Sequence, residues 1–205
     1  MIKIPEDFLF THTPTEIVIY SVAEFMFHKM NCQPVYLTPE MIYGTIYGKA
    51  PNANIRNEYS CAFKTLVADG IFTANWKMVS VNEDVYSGYI MLPFDYFKKV
   101  MQLNRGKYIY VYLLKLLTTR NYKQKVGYQK IEYLSELCEI TPTTVSVYNK
   151  ALEDAGILYI RHSKSCKFNH DGSIYKPNNV YGLIDERNVI DEYADKWRVK
   201  SKAHS

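Results

Sequence analysis

The stretch Tyr133-Leu134-Ser135-Glu136-Leu137-Cys138-Glu139-Ile140-Thr141-Pro142-Thr143-Thr144-Val145-Ser146-Val147-Tyr148-Asn149-Lys150-Ala151-Leu152-Glu153-Asp154-Ala155-Gly156-Ile157 decides the fold. Ile131, Leu134 and Cys138 recur at helical spacing, which predicts a short helix. Thr141 then offers its hydroxyl as a cap, and Pro142 suits the first turn of a second helix. That helix places Val145, Tyr148, Leu152 and Ala155 on one buried flank and stops at Gly156, a natural C′ residue. Beyond it, Ile157 to Ile160 and Val180 to Ile184 read as strands. The polar loop from His162 to Asn179 joins them, with Asp171-Gly172 as a turn signal. Helix, turn, helix, strand, loop, strand is the order of a winged helix-turn-helix.

Outward from that stretch, the order repeats. Thr13-Pro14-Thr15-Glu16 opens a helix carrying Ile17, Tyr20, Val22, Phe25 and Phe27, apolar nearly all round and therefore buried between partners. The thirteen residues before it read as an extended arm. Leu37-Thr38-Pro39-Glu40 starts a second helix, Gly44 to Asn54 reads as loop, and a third helix runs from about Ile55 to Asp69 and ends at Gly70. Strands over Ile71 to Val81 and Val85 to Leu92 follow, around a turn at Asn82-Glu83-Asp84. Set without gaps, Asn57 to Ile71 lies against Thr143 to Ile157, and Ser60/Ser146, Lys64/Lys150, Leu66/Leu152, Gly70/Gly156 and Ile71/Ile157 coincide. The expectation is an α+β, mainly α chain of two tandem winged helix-turn-helix domains. The first spans 1–103 with its N-terminal arm. The second spans 104–205 and opens with a helix over Lys107 to Thr119. It closes with a helix over Asp185 to Trp197 and a basic tail. In that closing helix Val189, Ile190, Tyr193 and Trp197 form a stripe that either packs on the second domain or makes a dimer contact.

Composition sets the outer limits. Of 205 residues 47% are hydrophobic and 22% charged, a globular balance, and 19 tyrosines by themselves indicate no function. The first residues lack an apolar secretory core, and the best apolar run, Val111 to Leu117, contains Lys115. Cys32, Cys61, Cys138 and Cys166 follow no disulfide-framework spacing, which points to a reduced, cytoplasmic setting with no membrane partner. The net charge of +4 is unevenly spread. From Tyr96 to Ile131 the only charged residues are Lys98, Lys99, Arg105, Lys107, Lys115, Arg120, Lys123, Lys125 and Lys130. Such a run favours a polyanionic partner; a solvated helix face and linker is the other reading.

Burying Val145, Tyr148 and Leu152 turns Thr143, Ser146, Val147 and Lys150 outward, with Thr144 beside them. Hydroxyls bond base edges or phosphates, Val147 suits a thymine methyl, and Lys150 reaches guanine or backbone. Asn57, Ser60, Cys61 and Lys64, with Arg56 alongside, are the equivalent face in the first half. The second wing carries Lys164, Lys167, His170 and Lys176 and fits a phosphate backbone. Glu83 and Asp84, at the expected tip of the first wing, would be repelled there. The candidate double-stranded DNA-binding residues are therefore Thr143, Thr144, Ser146, Val147, Lys150, Lys164, Lys167, Arg56, Asn57, Ser60, Lys64, Lys123 and Lys125.

Other chemistry is absent from the pattern. Gly44-Thr45-Ile46-Tyr47-Gly48-Lys49-Ala50 is one residue short between its glycines for a phosphate-binding loop and has Ala where Ser or Thr is needed. His162, Cys166 and His170 are four apart but fall where a hairpin is expected, so no metal is assigned. No histidine pair or carboxylate cluster surrounds a candidate nucleophile, so the chain reads as a non-enzyme without cofactor.

The Tyr-Leu-Ser-Glu-Leu-Cys helix, the Thr-Pro-Thr-Thr turn, the Leu-x-x-Ala-Gly-Ile-Leu exit and the Asn-Val-Tyr return strand resemble the winged-helix domains of replication initiators from Gram-positive plasmids and phages. They are also similar to the N-terminal domain of DnaD-type primosome proteins. The resemblance covers about a third of the chain and implies origin or promoter DNA as ligand and assembly as a homodimer. The long C-terminal domain common in such initiators has no counterpart here. The expected function is site-specific binding of double-stranded DNA by a protein of a plasmid, phage or other mobile element, in replication initiation or transcriptional regulation. The alternative is an interaction module for a host replication or transcription protein.

Overall fold

The computed structural model describes residues 1–82, 88–121, 123–162, 167–168, 174–175 and 179–200, except the side chains of 167–168, 174–175 and 197–200. It is an α+β chain, mainly helical. Two compact units, 1–114 and 115–205, divide it.

The first thirteen residues do not form an extended arm. Ile2–Pro5 is a strand (β1), and Phe8–Thr11 is one short helical turn (α1). Ile2, Ile4, Phe8 and Leu9 are all buried, and apolar side chains of this size draw a segment into the core. Thr13 caps the next helix (α2, Pro14–Lys29) in a full capping box: its hydroxyl accepts from the Glu16 N–H, while Glu16 accepts from the Thr13 N–H at 2.8 Å. As the all-round apolar pattern predicts, α2 is buried along most of its length, from Thr15 to Glu24.

A two-residue strand (β2, Val35–Tyr36) precedes the helix α3 (Pro39–Tyr47), which Thr38 caps. The loop expected from Gly44 is shorter. Helix α3 runs through Gly44 and ends at Gly48, whose φ of 66° is the left-handed cap that glycine adopts freely. Asn52 then caps α4 (Ala53–Ala68), which buries Tyr59, Ala62 and Leu66.

The strands after α4 also differ from expectation. Phe72–Asn75 (β3) and Met78–Val81 (β4) form a hairpin that turns at Trp76-Lys77, with Asn75 opposite Met78. The Asn82 region is not its turn, and Glu83 and Asp84 lie outside the described residues. The sheet order is β2-β4-β3, all antiparallel. Tyr89–Leu92 (β5) pairs with β1 instead, from Ile2 opposite Leu92 to Pro5 opposite Tyr89. A helix not anticipated from sequence follows (α5, Phe94–Met101). Its Phe94 stacks on Phe25 at 3.7 Å, and Phe97 meets the edge of Tyr110 at 4.8 Å. Tyr110 belongs to α6 (Gly106–Thr118), within which the two units divide. Complete burial raises the Tyr110 phenol well above its ordinary range, and the hydroxyl lies 2.8 Å from Ser21 Oγ.

In the second unit a tight reversal at Asn121–Val126 leads into Gly127, which bridges Tyr181 through two backbone hydrogen bonds of 2.8 and 2.9 Å. Helices α7 (Ile131–Cys138) and α8 (Pro142–Asp154) follow. Strand β6 (Leu158–Arg161) comes next, then the short β7 (Lys167–Phe168) and β8 (Ile174–Tyr175), which pair with each other. Strand β9 (Val180–Leu183) pairs with β6. Gly127, β9 and β6 thus repeat the order of β2, β4 and β3 in the first unit.

The two helix exits match atom for atom. Gly70 (φ 73°) and Gly156 (φ 64°) are both left-handed, and the N–H groups of Ile71 and Ile157 each bond the carbonyl five residues back, on Leu66 and Leu152. The described residues close with a 3-10 turn (Ile184–Glu186) and α9 (Arg187–Lys200). Ile190 and Ala194 of α9 are buried against Val126 and Val180 with Tyr193 beside them, so Ile190 and Tyr193 of the stripe pack on their own unit; Val189 is exposed, and the Trp197 side chain lies outside the described residues. Of the basic tail, Lys202 lies outside the described residues. No described helix is long and apolar enough to cross a membrane.

Candidate nucleic-acid interface

Helix α8 is held at both ends. Glu139 adopts a left-handed φ of 55°, which lets the chain reverse, and Ser135 of α7 donates its hydroxyl to the Ile140 carbonyl across that reversal. Thr141 then accepts the Thr144 N–H at 3.2 Å, satisfying one of the four open donors of the new helix. Val145 and Leu152 are fully buried and Tyr148 nearly so. Each such side chain contributes roughly 1.5–3 kcal/mol, which fixes the helix's rotation about its own axis.

That rotation leaves Thr143, Ser146, Val147 and Lys150 exposed and Thr144 half-buried. Ser146 donates back to the Pro142 carbonyl at 3.2 Å, and Lys150 lies 3.1 Å from Asp154 one turn on. With both side chains of that pair largely in water, the contact is worth well under 1 kcal/mol and yields readily to another anion. Ser146, Asn149, Lys150 and Glu153 line a shallow groove whose other wall includes His162 and Asn179. His162 Nε2 sits 3.5 Å from the Glu153 carboxylate.

The equivalent face of α4 is less open. Asn57 and Lys64 are exposed and Ser60 is half-buried. Arg56 is held by Glu40 of α3 at 2.7 Å. A backbone hydrogen bond at its own N–H, aided by Thr38, Arg56 and Lys77, holds the Glu40 carboxyl below the usual carboxylate range. Glu58, one turn from the helix start, accepts from Thr15 and pairs with Lys107 at 2.6 Å.

The basic run of the middle sequence spans several elements. It is divided among α5, α6 and the segment that follows. Acidic partners from distant sequence neutralise two of its members: Glu58 meets Lys107, and Glu186 meets Arg120 at 2.7 Å. Lys123 and Lys125 project from the reversal at Asn121–Val126, where the Asn121 side chain accepts from the N–H groups of Lys123 and Gln124. Of the lysines expected in the second wing, Lys164 and Lys176 lie outside the described residues, as does His170, and Lys167 is placed by its backbone alone in β7.

Sequence reasoning missed one feature of the first unit. Trp76, at the turn of the β3–β4 hairpin, is 82% exposed, and Lys77 lies over both its ring and that of Tyr36. The signal was present as an isolated Trp-Lys between two short alternating runs. Comparison with protein families, curated proteins and solved structures yields no match.

Proposed function

We propose that each unit is a winged helix-turn-helix and that the chain binds double-stranded DNA at specific sites, serving replication initiation or transcriptional regulation in a plasmid, phage or other mobile element. The order of helices with the sheet orders β2-β4-β3 and Gly127-β9-β6 supports the fold assignment. The observation that carries the function is the outward flank of α8. A short capped helix presents two small hydroxyl side chains, one branched methyl pair and one cation on a single exposed face, with its opposite flank locked into the core. An α-helix fits the major groove, where those groups meet base edges and the flanking lysines meet phosphate.

The second unit leads in this reading. Among the described residues Lys150 pairs with an exposed neighbour on its own helix, whereas Arg56 is engaged across two helices. Gel-shift titrations across a salt series test it. Each phosphate contact contributes about 0.9 to the slope of log affinity against log salt. Lys150→Ala should therefore weaken duplex binding and shallow the slope by about one unit. An unchanged slope removes Lys150 from the interface.

A further inference from the structure

The hairpin tip of the first unit presents an aromatic platform with a cation at its centre. The β3–β4 connection is two residues long, and its first residue, Trp76, has φ 58°. Glycine, asparagine and aspartate take that conformation at least cost, so a tryptophan there is an expensive way to make a turn. Its ring is nonetheless held in water. Tyr36 of β2 and Met78 of β4 are cross-strand neighbours on the outward face of the sheet, 42% and 40% exposed. Asn75, opposite Met78, lies on that same face. The Lys77 Nζ stands 5.3 Å from the centre of the Trp76 ring and 5.7 Å from that of Tyr36. The tip is also fixed: the Leu37 N–H donates to the Lys77 carbonyl at 2.9 Å, tying the turn to β2.

Flat exposed rings pair with flat exposed rings, and the cation between them, which Glu40 feels only as the weakest of several influences and which pairs more closely with no described carboxylate, favours an anion. In a duplex the base faces are already stacked on one another, so only an unpaired strand offers both free faces and phosphates. Lysine is depleted from the centres of protein–protein interfaces, which disfavours a protein as occupant. We propose that Trp76 and Tyr36 stack the bases of single-stranded DNA while Lys77 pairs with its phosphates and Asn75 bonds a base edge. The choice of DNA rests on the duplex-binding reading above; the surface itself is made of residues of the first unit, none of them in α8.

The test uses the full chain with Trp197→Phe, so that Trp76 is the remaining indole. A twelve-nucleotide oligo(dT) should quench its fluorescence saturably. Trp76→Gly suits the left-handed turn and preserves the hairpin. It should weaken oligo(dT) binding roughly five- to hundredfold, the worth of one stacked base, while leaving duplex affinity within about twofold. Trp76→Phe should restore part of the loss. Retained quenching in a chain that binds no duplex would remove the duplex reading and support this one. Unmoved fluorescence, wild-type oligo(dT) binding by Trp76→Gly, or equal loss of duplex and oligo(dT) binding overturns the proposal. So does a self-association of the chain that Trp76→Gly dissolves and oligo(dT) does not disturb, which would give the tip to a second copy.

Discussion

Gly127→Ala is a one-carbon change aimed at the strand pairing of the second unit. A Cβ at Gly127 would lie 2.1 Å from Cε2, 2.3 Å from Cζ and 2.6 Å from the hydroxyl oxygen of Tyr181, inside van der Waals contact throughout. The ring has little room to yield. Tyr181 is 3% exposed, and its hydroxyl sits 2.6 Å from Thr119 Oγ1. Burial raises that phenol to about 12. Either the ring leaves, losing a hydrogen bond worth about 1 kcal/mol, or the Gly127–Tyr181 bridge opens. Overpacking adds about 1–3 kcal/mol, so the expected cost is about 2–4 kcal/mol out of the 5–15 kcal/mol that holds a typical domain. For a unit of this size that lowers the melting midpoint by roughly 10–25 °C. Calorimetry and urea unfolding followed by circular dichroism both read it. Tyr181→Ala, costing about 3–5 kcal/mol alone, should make the Gly127 change nearly silent in the double variant. A cost below about 1 kcal/mol for Gly127→Ala, or additive costs in the double variant, refutes the reasoning.

Gly44→Ala should act with the opposite sign. Gly44 lies inside α3 with nothing within 4 Å of a Cβ there, so alanine should add about 0.5–1 kcal/mol in urea unfolding. Burial raises the Cys138 thiol to about 11, whereas Cys32 and Cys61 are exposed. Peptide mapping after brief alkylation at pH 8 should find the latter two modified and Cys138 protected until the chain unfolds. Burial opposes ionisation of Glu58, but hydrogen bonds from Lys107 and Thr15 outweigh it and hold its carboxyl below the ordinary 4.5. A depressed carboxylate stabilises the fold above its unfolded pKa and loses that contribution as pH falls through the folded one. Wild type should therefore exceed Glu58→Gln by less than about 1 kcal/mol near neutrality, discounted for exposure, and the gap should narrow in thermal melts as pH falls below the ordinary 4.5 and through the lowered value.

The second unit was legible because its punctuation is local. Thr141-Pro142 starts a helix and Gly156 ends it whatever lies elsewhere, and the buried flank of α8 follows from spacing alone. The elements of the first unit that differ from expectation depend on distant partners. Strand β1 pairs with β5 some ninety positions away, Ile2 opposite Leu92, so nothing near Met1 announces a strand. Asn82-Glu83-Asp84 has better turn chemistry than Trp76-Lys77, where the left-handed position falls on a residue that turn statistics disfavour, so the sequence points away from the actual turn. Helix α5 does carry a local signal: Phe94, Phe97 and Val100-Met101 after Pro93 are an amphipathic pattern. The outward set on α8 was readable, but the neutralisation of Arg56 by Glu40 was not. It joins two helices that the sequence separates by a turn of unknown geometry.

Selection of bound sequences from a random duplex library addresses the claim about α8 most directly. Wild-type chain should enrich a defined motif, and Lys150→Ala and Val147→Ala should each relax the preference at one or two positions of it. Recovery of unselected sequence by all three proteins would contradict the account.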